Sequence, residues 1–347
     1  METKVRKADK EESFQEAAKI LQQGGLVAFP TETVYGLGGN ALDKEAAKKI
    51  YAAKGRPSDN PLIVHISQKE ALLVLAENVP EQAWILAEHF WPGPLTMVLP
   101  KSKKVPYGTT GGLETVAVRM PNHPVALRLI QESGIYIAAP SANISGRPSA
   151  TEAGHVIEDF EGRIDMILDG GMVEVGIEST VLDLTEEVPV ILRPGCITKE
   201  MLEKVLGEVV TDQAILLENQ DKHLAPKAPG MKYKHYAPKA ELTIVTGELK
   251  KVQEMINQRI TDNLEKGLKT GVITTTENQK MYASGVVRCI GSREEEGTIA
   301  RGLYRVLREF DHLQVDCIYA ESFGEDSMGT AIMNRLQKAA GYAILEV

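Results

Sequence analysis

LVAFPTETVYGLGGNALDKEAAKKIYAAKGRPSDNPLIVHI, residues 26–66, decides how the chain begins to fold. A short apolar strand over 26–29 runs into Pro30, and Thr31, Glu32, Thr33 and Tyr35 precede three glycines within four positions. A helix is predicted over about 43–54, and the run LIVHI at 62–66 reads as a second strand. Strand, helix and strand in this order predict an α/β sheet. Upstream, Ser13 with Glu16 three residues later forms a capping-box pattern. Phe14, Ala17, Ala18 and Leu21 follow at helical spacing until Gly24 and Gly25 end the helix. Downstream, a helix over 81–90 and strands over 95–99, 115–120, 135–139, 166–168, 180–184 and 190–192 continue the alternation. Strands that follow one another late in this run predict a mixed sheet rather than a purely parallel one.

From about 207 to 240 the pattern loosens, and Pro226, Pro229, Gly230 and Pro238 mark an extended linker. A second βα alternation starts at Glu241. Strands over 241–247, 271–276, 286–291 and 315–322, with helices to about Lys266, over 298–310 and over 330–340, predict a small Rossmann-like α/β domain. It contains no G-x-G-x-x-G, so dinucleotide binding there is unsupported. The expected division is therefore a catalytic domain over 1–206, a linker over 207–240 and a small domain over 241–347. The 347-residue length agrees, since single cores rarely grow beyond ~250–300 residues.

The net charge of -9 argues against a broad polyanion-binding surface but leaves room for a small basic pocket. Cys196, Cys289 and Cys317 lie far apart with no C-x-x-C pair, as expected of reduced thiols rather than a disulfide framework or zinc ribbon. The N-terminus has no apolar core of a signal peptide, and no segment approaches the ~20 apolar residues of a membrane span, so a cytoplasmic protein is expected.

The signatures G-x-x-x-x-G-K-[ST], H-E-x-x-H and G-x-S-x-G are absent. What stands out is polarity at strand ends. The hydroxyls and glycines of 30–41 lie where an α/β sheet usually binds ligands, and they read either as an anion-accepting Gly-rich loop or as an ordinary turn. Lys54 continues the apolar stripe of Ala47, Ile50 and Tyr51, and so either snorkels to water or meets a buried partner. Lys54 and Arg56 flank Gly55, and a point charge and a planar fork so placed can hold one polyphosphate. His65 falls opposite Leu62, Val64 and Ile66. Thr115 and Arg119 fall opposite Val116, Val118 and Met120, which makes Arg119 a carboxylate clamp or a salt-bridge partner. Ser141, Asn143, Ser145, Gly146 and Ser149 crowd another strand end, where a capped turn is the competing reading. Ser179, Thr180 and Arg193 add further polar positions.

Taken in order, PTETVYGLG, K-G-R-P-S-D-N-P-L, SANISG, GIESTV and LRPG resemble the YrdC-type threonylcarbamoyl-AMP synthases over roughly residues 10–205. The linker GMKYKHYAP and the small α/β domain resemble the long form of that family. The resemblance implies a YrdC-like twisted mixed sheet with flanking helices. It also implies a reaction in which L-threonine and bicarbonate give a carbamate that attacks ATP, yielding threonylcarbamoyl-AMP and pyrophosphate. Mg2+ would arrive with ATP, and a downstream tRNA threonylcarbamoyl transferase complex would use the product, with transient tRNA contact possible in principle. By motif, Lys54, Arg56, Asn60, Thr115, Ser141, Asn143, Ser149, Arg193 and Tyr236 are expected around ATP, with Lys54 and Arg56 as catalytic cations. Thr33, Tyr35, His65, Arg119 and Ser179 are expected around threonine. Residues 232–236 resemble a lid over the ligands. The resemblance gives Glu32 and Glu178 no role, and no protein ligand set for the metal is legible. Two rivals remain: RNA binding by the same crevice, which the net charge opposes, and carbamoyl transfer as in hydrogenase-maturation proteins. The latter carry acylphosphatase and zinc-finger segments that have no counterpart here.

Overall fold

The computed structural model describes residues 2–212, 236–282, 284–324 and 328–347. The described parts of Met1–Ser145, Ser149–Glu174 and Glu178–Lys232 form one compact unit, and those of Gly146–Pro148, Val175–Ile177 and Tyr233–Val347 form another.

The first unit is built on an eleven-stranded sheet. In chain order its strands are β1 (Lys4–Lys7), β2 (Val27–Pro30), β3 (Tyr35–Asn40), β4 (Ile63–His65), β5 (Leu95–Pro100) and β6 (Thr115–Arg119). They continue with β7 (Ile137–Ala139), β8 (Met166–Asp169), β9 (Thr180–Asp183), β10 (Val190–Arg193) and β11 (Val210–Thr211). Across the sheet the order is β1-β8-β2-β3-β7-β4-β6-β5-β9-β10-β11, with parallel and antiparallel neighbours, so the sheet is mixed as the strand spacing predicts. The period-two pattern of β6 holds: Val116 and Val118 enter the main core with Leu62, Val64 and Ile66, while Ala117 joins a smaller cluster on the other face.

Two local expectations are corrected. The first helix runs Glu11–Gln22, capped at Lys10 without a side-chain bond, and Ser13 is buried inside it. The capping-box pattern fails because Phe14, Ala17 and Leu21 are driven into the core, and the helix extends N-terminally past Ser13 to present them. The glycines of 36–39 form neither a loop nor an anion cradle. They lie in β3, paired antiparallel with β2 through Val27↔Gly38 and Phe29↔Gly36. A Cβ on Gly38 would sit 2.7 Å from Ile137 and 2.8 Å from Phe29, so the missing side chain permits close packing.

The helix Lys44–Lys54 begins as the sequence indicates: the Asp43 side chain accepts from the Glu45 N–H at 2.9 Å. It ends at Gly55 in the left-handed conformation, φ 60°. This stop turns Arg56 and Asn60 back toward the strand that follows.

The second unit holds five parallel strands, β12 (Glu241–Thr246), β13 (Thr270–Thr274), β14 (Val286–Cys289), β15 (Cys317–Glu321) and β16 (Ile344–Glu346). Their order is β14-β13-β15-β12-β16, and β16 is an addition to the strands read from sequence. Val252, Ile256 and Ile260 of the helix Leu249–Glu265 pack with Val245 and Val272 on one face. The helices Glu296–Leu313 and Met328–Ala340 pack together, and the second also lies on β12. With right-handed crossovers these two cover the opposite face, because their connections run the other way along the sheet. No helix among the described residues is long and apolar enough to cross a membrane.

Candidate active site

At the end of β2 and of β6, two charges meet inside the protein. Arg119 and Glu32 are 3% and 4% exposed, and Arg119 Nη2 lies 2.7 Å from Glu32 Oε2. The pair is close but not aligned: neither Glu32 oxygen nor Arg119 Nη2 makes a hydrogen bond among the described residues. Arg119 Nη1 donates to Thr33 Oγ1 at 3.0 Å, and Thr33 Oγ1 also meets Thr31 Oγ1 at 2.9 Å. Buried polar atoms in native structures are almost always satisfied, so a cluster that leaves three unfilled points to a missing partner.

His65 stands beside Arg119 as its register partner between β4 and β6. The ring is buried, with Nδ1 3.1 Å from the Ile63 carbonyl and the Phe29 ring packed edge-on at 6.2 Å. Burial first, and the Arg119 charge second, push its pKa down to about 3, so the imidazole is neutral at physiological pH. The strand Ile63–His65 is therefore buried on both faces. Tyr35 is buried too, but its hydroxyl serves a turn: it donates to the Gly171 carbonyl at 2.7 Å and accepts from the Gly170 N–H at 3.2 Å. Its donor is not directed at the Thr33–Arg119 group.

Ser179, just before β9, shares a 2.8 Å hydrogen bond with Thr96 of β5. Arg193, at the end of β10, donates to the Ser179 carbonyl at 3.0 Å and to its hydroxyl at 3.1 Å. Ser149 donates to Glu178 Oε1 at 2.6 Å, which gives Glu178 a hydrogen-bonded place.

The third group is centred on Lys54. Its side chain is 2% exposed, so it does not snorkel, and Nζ donates at 2.5 Å to the carbonyls of both Ser141 and Asn143. Ser141 Oγ donates to Asn143 Oδ1 at 2.6 Å, and the Asn143 amide donates to Ile144 O. The lysine therefore pins the strand-end loop 141–144. Nearby, half-buried Arg56 donates from Nη2 to the carbonyls of Asn60 and Pro61 at 3.2 and 3.4 Å. Asn60 is fully buried, and both polar atoms of its side chain lack a hydrogen bond among the described residues. Thr115 is half-buried at the start of β6, opposite Pro100 of β5.

Tyr236 belongs to the second unit, where its buried ring lies 5.0 Å from that of Tyr304. The rest of the expected lid, 232–235, lies outside the described residues. Among the described residues there is no group of three or more His, Cys, Asp or Glu side chains arranged for a metal ion.

Family comparison decides what kind of site this is. A family model described as "Telomere recombination" (Sua5_yciO_yrdC) matches residues 19–195, and one described as "Threonylcarbamoyl-AMP synthase, C-terminal domain" matches residues 197–341. A threonylcarbamoyl-AMP synthase of Pyrococcus abyssi is 53% identical over 343 residues, covering 99% of this chain and 98% of the relative. This chain belongs to the threonylcarbamoyl-AMP synthase family. A Bacillus subtilis synthase of the same name is 50% identical over 95% of this chain and 93% of its own length. The crystal structure titled as P. abyssi Sua5 complexed with L-threonine superposes with a TM-score of 0.93 at 51% identity, covering 100% of this chain and 99% of that one. A synthase of this family is an enzyme of the adenylyltransferase type, and the resemblance read from the five motifs stands. What sequence reasoning missed is Glu32. Its place between two threonines was visible, but its pairing depends on β2 and β6 converging in space.

One consequence is measurable at once. Between pH 6.5 and about 3 the unfolded chain protonates His65 and the folded chain does not. Stability linked to this group is therefore full above pH 6.5 and lost as pH falls toward 3. At ~1.4 kcal/mol per unit, the loss between pH 7 and pH 4.5 is about 2–3 kcal/mol. In His65→Gln this share of the slope should vanish, as read by urea unfolding at the two pH values; an unchanged slope refutes a neutral buried His65.

Proposed function

We propose that this chain is an L-threonylcarbamoyl-AMP synthase that takes L-threonine, bicarbonate and ATP to threonylcarbamoyl-AMP, pyrophosphate and water. The observation that carries this reading is the buried Glu32–Arg119 pair with its unfilled hydrogen-bonding atoms. An α-amino acid has opposite charges about one residue apart: its carboxylate suits Arg119 and its ammonium suits Glu32. Thr33, Ser179 and the neutral His65 supply hydrogen bonds to a side-chain hydroxyl without adding charge, and Tyr35 closes the wall. The threonine complex of the P. abyssi relative supports the same choice of amino acid.

The ammonium first gives up a proton to water or to the Glu32 carboxylate, and the amine and bicarbonate then condense to a carbamate with loss of water. A carbamate oxygen then forms a bond to the α-phosphorus of ATP while the bond from that phosphorus to the pyrophosphate oxygen breaks. The carbamate is already anionic, so this second step needs no general base; what it needs is two anions held in line. Lys54 and Arg56 offset phosphate charge, the unpaired amide of Asn60 can meet a phosphate or ribose oxygen, and Thr115 lies where carbamate and nucleotide would meet. Ser141, Asn143, Ser149 and Arg193 line the nucleotide side. Mg2+ commonly binds through nucleotide phosphates and several waters, and it would supply charge neutralisation on those phosphates. The product would pass to a tRNA threonylcarbamoyl transferase complex in the cytoplasm.

The test is pyrophosphate release with ATP, bicarbonate and each amino acid in turn. Release is expected only when threonine and bicarbonate are both present. Release that is indifferent to either one overturns the assignment.

A further inference from the structure

The carboxyl ends of the second unit's strands carry a feature that the synthase reaction does not use. The chain leaves β12 for the helix on one face and leaves β15 for a helix on the other, so a crevice opens between these adjacent strands. Such switch points are where open α/β sheets bind ligands. Here the crevice holds a cavity of about 250 Å³ lined by Gly247, Leu249, Arg293, Glu321, Ser322 and Phe323.

Its floor is unusually built. Glu321, at the end of β15, is fully buried and accepts four hydrogen bonds, from Thr274, Tyr282, Asn278 and Arg293, at 2.7–2.8 Å. Of the three neutral donors Thr274 ends β13 and Asn278 and Tyr282 follow it, while Arg293 reaches in from the loop after β14. Arg293 Nη2 also donates to the Ser322 carbonyl at 3.0 Å, and the guanidinium lies 5.2 Å from the Phe323 ring centroid. Its Nε is buried with no hydrogen bond among the described residues. A carboxylate with three neutral donors already in place does not need a cation for satisfaction alone, and the cation is held rigidly with donors to spare. Gly247 has φ +134°, and a Cβ there would meet the Val347 carbonyl at 2.2 Å, so the backbone at the rim is bare by necessity.

We propose that this crevice binds a small organic or inorganic acid, its carboxylate or phosphate on Arg293 and any apolar part against Leu249 and Phe323. The size fits the class: a cavity of about 250 Å³ suits a molecule of amino-acid size. The site lies wholly within the second unit and stands whether or not the proposed synthase chemistry holds.

The full-length, 15N-labelled chain is titrated separately with L-threonine, inorganic phosphate and pyrophosphate, and the backbone amide signals of Gly247, Ser322 and Gly324 are followed. At least one acid should shift these signals saturably, and the arm that does so separates a carboxylate ligand from a phosphate one. Binding should weaken at least tenfold in Arg293→Gln. It should weaken as much in Leu249→Trp, which fills the cavity from a 43%-exposed position and leaves the Arg293–Glu321 pair intact, so the question is decided even if the first variant misfolds. The proposal is overturned if no acid moves these amides, or if the shifts persist in Leu249→Trp.

Discussion

Arg119→Met should cost about 3–5 kcal/mol of stability and leave no measurable threonine-dependent pyrophosphate release. The stability loss follows from Glu32, a buried carboxyl group left with no cation opposite it once the guanidinium is gone. The activity loss has a separate cause, the removal of the only group in this cluster suited to a carboxylate. The two can be pulled apart. Glu32→Gln combined with Arg119→Met removes both charges, so it should recover most of the folding free energy, as read by urea unfolding, while activity stays absent. If the double variant is as unstable as the single one, the pair is not coupled as described. If Arg119→Met keeps its KM for threonine, the carboxylate lies elsewhere.

Lys54→Met is the second large effect. The carbonyls of Ser141 and Asn143 lose the ammonium as a donor, and at ~1–3 kcal/mol for a buried group left unsatisfied the loop 141–144 should loosen. Activity should fall by about 10²–10³, the scale seen when one preorganised charge-stabilising donor is removed. Arg56→Gln supplies the contrast, since Arg56 is half-buried and its Nη2 donates to the Asn60 and Pro61 carbonyls of its own turn. It should lose comparable activity with a melting temperature close to that of the parent. A Lys54→Met protein that keeps full activity would reduce Lys54 to a loop tie.

These two variants also mark how far the sequence could be read. Lys54 was conspicuous because a cation interrupts an apolar stripe, and a local period suffices to see that. That its ammonium holds the 141–144 loop was not legible, because the contact joins segments far apart in the chain. The same holds for Glu32, whose partner is known only once β2 and β6 are neighbours of the same region. In β6 the alternating Val116, Val118 and Arg119 read correctly, since a period of two is a property of the strand itself. The glycines at 36, 38 and 39 misled, as glycine is a poor strand former, and only packing against Phe29 and Ile137 makes a strand of them. Ser13 failed for the same reason in reverse: a good local capping signal gave way to the burial of Phe14 and Leu21. In the second unit the alternation of strands and helices was plain, but the order β14-β13-β15-β12-β16, which creates the crevice, is a matter of crossovers and leaves no local trace.

The outermost strand has a consequence for how the protein is made. β1 leaves the ribosome long before its partner β8, with Lys7 bonded to Asp169 across 162 positions. At ~5–20 residues per second of synthesis, β1 waits roughly 8–32 s before the strand that receives it exists. Through that interval Lys4, Arg6 and Lys7 keep the segment soluble and discourage it from pairing with a foreign edge. β1 is thus made long before it can dock, and a nascent chain stalled before residue 166 should carry it as an open basic segment.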